Sequence, residues 1–370
     1  MNVLLQSRAT LFTAPGGDTI QMLKTAEALR VKGCAATIST ELEPDLTSYD
    51  LVHLFNLTRP QEVYLQARNA RRQHRKICLS PIYVSYREFE QHARGGVFGK
   101  ITRHLAPGQI EYLKILARAI RNFEINKGTT LLLAHGFSSL QNEIIDMSDV
   151  LLPNSESELR RASGDLQQIQ YKQYVVVPNA VDALLFDSSA SCIKDVNFHG
   201  CVLCVARIDG VKNQLNLVRA MRGLPWQLVI IGKHANHRSY YEQIKSEADS
   251  NVHFVGDIDH TLLPHYYKAA KVHVLASWME TTGLSSLEAG AMGCNLVITD
   301  KGDTRDYFGD YAFYCEPDSV ESIRTAIIKA YDSPGNPKLK QHIHDNYTWA
   351  ITAEKTLEGY QMAMATGAIR

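Results

Sequence analysis

Short runs of aliphatic and β-branched residues alternate with amphipathic helical patterns along nearly the whole chain, and that alternation leaves few folds open. Strands are expected at 2–6, 35–39, 51–55, 76–81, 150–153 and 174–177. A second set is expected at 202–206, 227–231, 252–255, 272–275, 296–299 and 312–314. Helical patterns fall between them, as over 18–32, closed by Gly33, and over 60–73. Strand, helix and strand in succession imply parallel sheets, because a parallel pair needs a long crossover. The two sets are split by the polar, strand-poor stretch 182–199. The expectation is an α/β protein with two Rossmann-like domains, 1–180 and 181–336. A mostly helical tail, 337–370, carries Trp349 and Tyr360, and with no strand after it this tail is read as packing back toward the first domain. A chain of 370 residues has room for two such cores.

Chemistry is suggested most strongly by Glu280-Thr-Thr-Gly283-Leu284-Ser-Ser-Leu-Glu288, directly after the expected strand 272–275. The unit reads as strand, loop, helix, with one carboxylate in the loop and one in the helix. A helix start offers unpaired N–H groups and the positive end of a dipole, which suits phosphate. Carboxylates beside it can accept hydrogen bonds from neutral hydroxyls such as those of a sugar. Taken alone, the same spacing also describes a solvated helix start with two unrelated glutamates.

The remaining features narrow the class. Lys plus Arg equals Asp plus Glu at 39 each, so no general case for nucleic-acid binding arises. No apolar run reaches the 18 or more residues of a membrane span, and 1–8 reads as a first strand rather than a secretory leader. The seven scattered cysteines read as reduced core residues of a cytoplasmic protein, Cys201 and Cys204 included despite their C-x-x-C spacing. One region departs from the pattern. Helical signals run from 84 to 130, and 59–127 holds 14 Lys/Arg against 5 Asp/Glu, a local excess of 14 − 5 = +9. Two readings stand there: a helix packed on its own domain with a solvated basic face, or contact with anionic lipid headgroups or a lipid-phosphate substrate.

From about 175 to 360 the chain resembles the donor domain of the retaining glycosyltransferases of family 4, which have the GT-B fold. The resemblance rests on Pro178-Asn179-Ala-Val-Asp182, Ala206-Arg207 followed by Lys212, Val229-Ile-Ile-Gly232, Phe254-Val-Gly256 and the Glu280/Glu288 pair, in that order. The first half matches more loosely, through Gly16-Gly17 after the first strand. The resemblance implies two Rossmann-like domains facing across a cleft, with the tail helix crossing back. It implies transfer of a hexose from a nucleoside-diphosphate sugar to a glycan or lipid-linked glycan. The expected work is cell-surface polysaccharide synthesis by a cytoplasmic protein, peripheral on the inner face of the membrane.

In that picture Arg207 and Lys212 neutralise the diphosphate, Glu280 holds donor-sugar hydroxyls, and Glu288 holds the nucleotide ribose. Gly283 and Leu284 supply backbone N–H groups, and Gly232 and Gly256 lie on the donor side. Gly16 and Gly17 let phosphate approach the backbone, or simply make a turn. Many relatives carry a His after the fourth strand of the first domain, whereas this chain has Leu79-Ser80-Pro81-Ile82-Tyr83, so Ser80 and Tyr83 are the acceptor-side candidates. His53 and His135 are read as structural or peripheral. No metal or other cofactor is expected, since the two cations can do a metal's electrostatic work. Rival readings are a nucleotide-sugar epimerase of the same architecture and a non-catalytic sugar-nucleotide-binding subunit. A dehydrogenase is disfavoured, because no G-x-G-x-x-G follows 2–6 or 202–206.

Overall fold

Each expected strand forms in the computed structural model, which describes residues 1–84, 89, 127–189, 196–234 and 238–365. Most of the basic stretch 84–130 lies outside the described residues. The described chain divides into two compact units, one built from 1–84, 127–179 and 349–365, the other from 180–348.

In the first unit, β1 (Asn2–Gln6), β2 (Ala35–Ser39), β3 (Leu51–Phe55), β4 (Lys76–Ser80), β5 (Val150–Leu151) and β6 (Gln173–Tyr174) form one parallel sheet in the order β2-β1-β3-β4-β5-β6. Helices α1 (Gly17–Val31), α2 (Pro60–Arg72), α3 (Lys127–His135), α4 (Phe137–Met147) and α5 (Glu156–Asp165) accompany it. β3 is buried along its whole length, as a parallel strand covered on both faces must be. β5 and β6 are shorter than expected. Their ladder continues only as the bonds Val175 N to Leu151 O and Val177 N to Pro153 O, beside a proline that has no N–H to return. α1 stops at Gly33, whose φ of 81° is the left-handed conformation that ends a helix cheaply only in glycine.

In the second unit, β7 (Cys201–Val205), β8 (Leu228–Ile231), β9 (Val252–Gly256), β10 (Ala270–Leu275), β11 (Asn295–Thr299) and β12 (Phe313–Cys315) also form one parallel sheet, in the order β12-β11-β10-β7-β8-β9. Its helices are α6 (Gln214–Met221), α7 (Arg238–Glu247), α8 (Leu263–Ala269), α9 (Leu284–Ala291), α10 (Thr304–Phe308), α11 (Val320–Asp332) and α12 (Pro337–Asn346). Apolar clusters cover both faces of the sheet, one containing Cys201, Leu275 and Leu287, the other Cys204, Val274 and Ile323. Residues three apart in a strand point to opposite faces, so the C-x-x-C pair is split between two cores. Burial pushes both thiols up to about 12. α12 lies on α9 at Gly290, where a Cβ would stand 2.5 Å from Ile343 Cδ1.

The tail is therefore two helices rather than one closing segment. Its first helix stays with the second unit, held where Val181 N donates to Tyr347 O. Its second, α13 (Trp349–Ala365), returns to the first unit, as expected for the end of the chain. Gly359 makes that packing possible, since a Cβ there would sit 2.4 Å from Leu152 Cδ2. Tyr360 is fully buried, and its hydroxyl meets His53 Nδ1 at 2.8 Å.

Two buried histidines make the fold acid-sensitive. Burial holds His53 in β3 and His273 in β10 down to about 3. The unfolded chain takes up those protons near pH 6.5 and the folded chain does not. Stability is therefore complete above about pH 6.5 and is lost as pH falls from there toward 3, at up to about 1.4 kcal/mol per pH unit for each histidine. His273→Leu is the cleaner probe, because neither of its ring nitrogens has a hydrogen-bond partner among the described residues. Denaturant melts between pH 6.5 and 4.5 are expected to show a shallower loss of stability in His273→Leu than in the parent. Identical slopes would tell against this account.

Candidate active site

In a doubly wound sheet, ligands gather beyond the carboxyl ends of the strands where strand order reverses. In the second sheet that reversal lies between β7 and β10. The residues that leave those two strands are Ala206-Arg207 and Ala276-Ser277-Trp278-Met279-Glu280. Two parts of the sequence some 70 residues apart thus meet at one edge.

Lys212 and Glu280 meet directly there. The Lys212 ammonium lies 2.5 Å from Glu280 Oε1, with Glu280 only 5% exposed. The loop that carries Lys212 is fixed at several points. Asp209 caps it through the Lys212 N–H at 3.1 Å. Gln214 donates to Arg207 O at 2.7 Å, and Trp278 N donates to Val211 O at 2.8 Å. Asn213 adopts a left-handed φ of 61°, and its buried amide donates to Ala276 O and Pro317 O, tying the β7 loop to the β10 loop. Arg207 is different: its side chain is 64% exposed and 3.5 Å from Asp209 Oδ2. One cation is thus held by a buried carboxylate, and the other is largely exposed beside Asp209.

Glycines at this edge solve a crowding problem. Gly232, just past β8, has φ 146°, and a Cβ there would lie 2.0 Å from Ala206 O. Its part is to let two loops cross, with its N–H donating to Gly256 O at 2.8 Å. Gly256, with φ 85°, has open space where a Cβ would stand. Gly302 is tighter still. Its Cβ would lie 1.8 Å from Glu280 O, in a bridge where Glu280 N donates to Lys301 O and Asp303 N donates to Glu280 O. The backbone of Glu280 is therefore clamped by the segment after β11. Gly283, φ 74°, is the N-cap of α9, and Leu284 is its first residue, half-buried against the core. This leaves the first N–H groups of α9 without helical acceptors, next to a buried carboxylate that already has a cation.

Glu288 lies a turn further into α9. Its Oε1 meets His260 Nε2 at 2.7 Å, and its Oε2 accepts from the Tyr267 hydroxyl at 2.9 Å. Tyr267 is fully buried, and burial together with the adjacent Glu288 carboxylate pushes its hydroxyl well above the usual tyrosine range. Among the described residues, no group of three or more His, Cys, Asp or Glu is placed to hold a metal ion.

The other candidates belong to the first unit. Gly16 is the N-cap of α1 and Gly17 its first residue. The preceding loop is wrapped around Arg8, which sequence reading passed over. Its guanidinium donates to Thr10 O, Ala14 O and both oxygens of Asp18. Burial alone would raise the Asp18 carboxyl, but the Arg8 hydrogen bonds and charge outweigh it and hold the carboxyl below its ordinary value. Ser80 needs correcting as an acceptor-side hydroxyl. It is 1% exposed, and its Oγ pairs with His53 Nε2 at 2.9 Å because the end of β4 is still inside the sheet. Tyr83 is half-buried. Its N–H donates to the fully buried Glu158, which also accepts from Asn154 N, so one carboxylate joins the loops after β4 and β5. Between Ser80 and Tyr83, Ile82 has φ 45°, a costly conformation for a β-branched residue. His135 is peripheral, as expected, pairing with Glu143 at the surface.

Several residues of this framework gave no signal of their own in the sequence. Gly302 and Asn213 sit in loops where glycine and asparagine are common. His260 and Tyr267 carry no motif. A glycine or asparagine just past an expected strand would have been the one hint.

Residues 199–348 match the family model of the glycosyl transferases group 1. A protein of Methanocaldococcus jannaschii named as an uncharacterized glycosyltransferase is 25% identical over 211 residues, 51% of this chain and 54% of that protein. The chain thus spans about half the length of that curated relative. Among solved structures, sucrose-phosphate synthase from Thermosynechococcus elongatus superposes with a TM-score of 0.72 at 16% identity, covering 99% of this chain and 100% of that one. HepE of Anabaena, solved with UDP and glucose, gives a TM-score of 0.64 at 13% identity, with both chains covered completely. At these identities the likeness is one of fold: both units are Rossmann-like, in the GT-B architecture that the sequence led us to expect.

Proposed function

We propose that this chain, whose residues 199–348 match the family model of the glycosyl transferases group 1, transfers a hexose from a nucleoside-diphosphate sugar to a hydroxyl of a glycan or glycolipid, with retention of configuration. The observation that carries this reading is the Lys212–Glu280 pair at the switch point of the second sheet, next to the start of α9. Lys212 and Arg207 meet the diphosphate, whose charge grows as the glycosidic bond breaks, and the N–H groups after Gly283 add a fixed partial charge. Glu280 has its second oxygen for donor-sugar hydroxyls. Glu288 keeps acceptor capacity for the ribose, because a carboxylate has about four lone-pair sites and two are occupied by His260 and Tyr267. Catalysis then rests on positioning and charge stabilisation, with the leaving phosphate taking the acceptor proton.

The proposal extends to metal independence, with Lys212 and Arg207 in the electrostatic role. It also includes a cytoplasmic setting, supported by six described cysteines that are all buried free thiols. An anionic membrane surface or lipid-diphosphate acceptor is the proposed partner of the basic stretch 59–127, supported by its local excess of +9.

Thermal-shift measurements with UDP, GDP, ADP and their sugars test the donor. The right nucleotide at about a hundredfold its Kd is expected to add roughly 2.7 kcal/mol of stability. HepE, solved with UDP and glucose, makes UDP the first to try. Turnover is expected to persist in EDTA. Loss in EDTA that manganese or magnesium restores would overturn the metal-free part, and a wild type unmoved by every nucleotide would overturn the whole. Product analysis separates transfer from donor isomerisation.

A further inference from the structure

We infer that Tyr267 and His260 are positioning residues that lock the Glu288 carboxylate in the orientation that recognises a nucleotide ribose diol, and so set the preference for ribonucleotide over 2′-deoxynucleotide donors. This rests on the reading of Glu288 as the ribose carboxylate.

Glu288 is held from two directions by elements far apart in sequence. His260 comes from the turn after β9 (His260–Leu262), and Tyr267 comes from α8. One meets Oε1 at 2.7 Å and the other Oε2 at 2.9 Å, so neither χ3 rotation nor a rotamer change of Glu288 is possible without losing a bond. The two anchors are themselves fixed. The Tyr267 ring is fully buried, edge-on to Phe186 at 5.9 Å and to His273 at 5.9 Å. Cys294 Sγ lies 3.1 Å from Tyr267 O. His260 packs edge-on to Phe186 at 5.2 Å, so a single phenylalanine braces both.

The Glu288 side chain remains 13% exposed, and each oxygen, with one bond made to His260 or Tyr267, keeps capacity to accept another. A carboxylate with one lone pair presented from each oxygen matches two adjacent hydroxyls, which donate one hydrogen bond apiece. A freely rotating carboxylate would discriminate far less, since it could turn to satisfy one hydroxyl alone. Buried polar groups built to receive a hydroxyl reject the analogue that lacks it, because they are left unpaired.

The test compares Kd for UDP, GDP or ADP, whichever binds, with Kd for its 2′-deoxy counterpart, in wild type, Tyr267→Phe, His260→Gln and His260→Ala. Inorganic pyrophosphate is a control that reads the diphosphate contacts alone. Wild type is expected to prefer the ribonucleotide by about tenfold or more. Tyr267→Phe, which removes one oxygen and keeps the ring, is expected to lower that ratio at least threefold with pyrophosphate affinity unchanged. His260→Gln, which keeps a donor, is expected to retain more of the ratio than His260→Ala. If Tyr267→Phe does not fold, the two His260 variants decide. An unchanged ratio in Tyr267→Phe and His260→Ala overturns the inference, as does a wild type that binds both sugars equally. A wild type that binds no nucleoside diphosphate overturns the proposed function and this inference together.

Discussion

Lys212→Ala is expected to cost about 3 kcal/mol of transition-state stabilisation, roughly two orders of magnitude in kcat, which is the size of losing one preorganised electrostatic donor. The structure makes Lys212 the stronger of the two cations. Its side chain is 21% exposed and held against Glu280, whereas Arg207 is 64% exposed and only loosely near Asp209. A charge in a partly desolvated place interacts more strongly than one in water, and a fixed one needs no reorganisation when the leaving group develops charge. Arg207→Ala is therefore expected to lose clearly less. Because Glu280 is the partner of Lys212, the two should not act independently. Lys212→Ala strands a buried carboxylate, and Glu280→Ala releases the ammonium. Glu280→Ala is expected to abolish transfer while nucleoside diphosphate still binds, and the double variant should be little worse than the worse single one. Steady-state kinetics across the four proteins check this. Strictly additive losses, or Lys212→Ala within threefold of wild type, would sink the assignment.

Gly302→Ala is expected to damage both stability and turnover, although Gly302 bears no chemistry. A Cβ at that position would lie 1.8 Å from the carbonyl oxygen of Glu280, and φ is 97°, so both the contact and the backbone conformation exclude a side chain. Overpacking and a strained backbone each cost about 1–3 kcal/mol, so a total near 3 kcal/mol is expected. For a unit of this size that lowers Tm by roughly 6–12 °C. The obstructed atom belongs to Glu280, so relief of the clash moves the residue that meets Lys212. Below its Tm, folded Gly302→Ala should still be slow in kcat. Gly293→Ala is the control: it too has positive φ, 95°, but open space at the Cβ position, so it should lose stability with little loss of kcat. Full turnover by folded Gly302→Ala would show that the clamp on Glu280 is not needed.

Much of this molecule was legible in its residues. Parallel strands buried on both faces announce themselves as short aliphatic runs, and β1, β2 and β3 fall on the residues expected of them. The tail was read less well. One helical pattern over 337–370 hid a break at Tyr347-Thr348, because the break is made by pairing with Val181 and not by any local stop signal. Ser80 was misjudged for a similar reason. A hydroxyl at a strand end looks available in sequence, and only its distance to His53, 27 residues earlier, turns it inward.

By itself, the sequence determined the α/β class, two sets of parallel strands, and the order of Arg207, Lys212, Glu280 and Glu288, since these are local matters of periodicity and spacing. Tertiary structure alone decided what those side chains do to one another. The reversal of strand order between β7 and β10 brings Lys212 onto Glu280, and Gly302 must be glycine because another segment's carbonyl occupies the place of its Cβ. His260 and Tyr267 converge on Glu288 from 28 and 21 residues away. Hydrogen bonds and excluded volume act through space, so contacts between distant segments leave no period or motif in the chain that makes them.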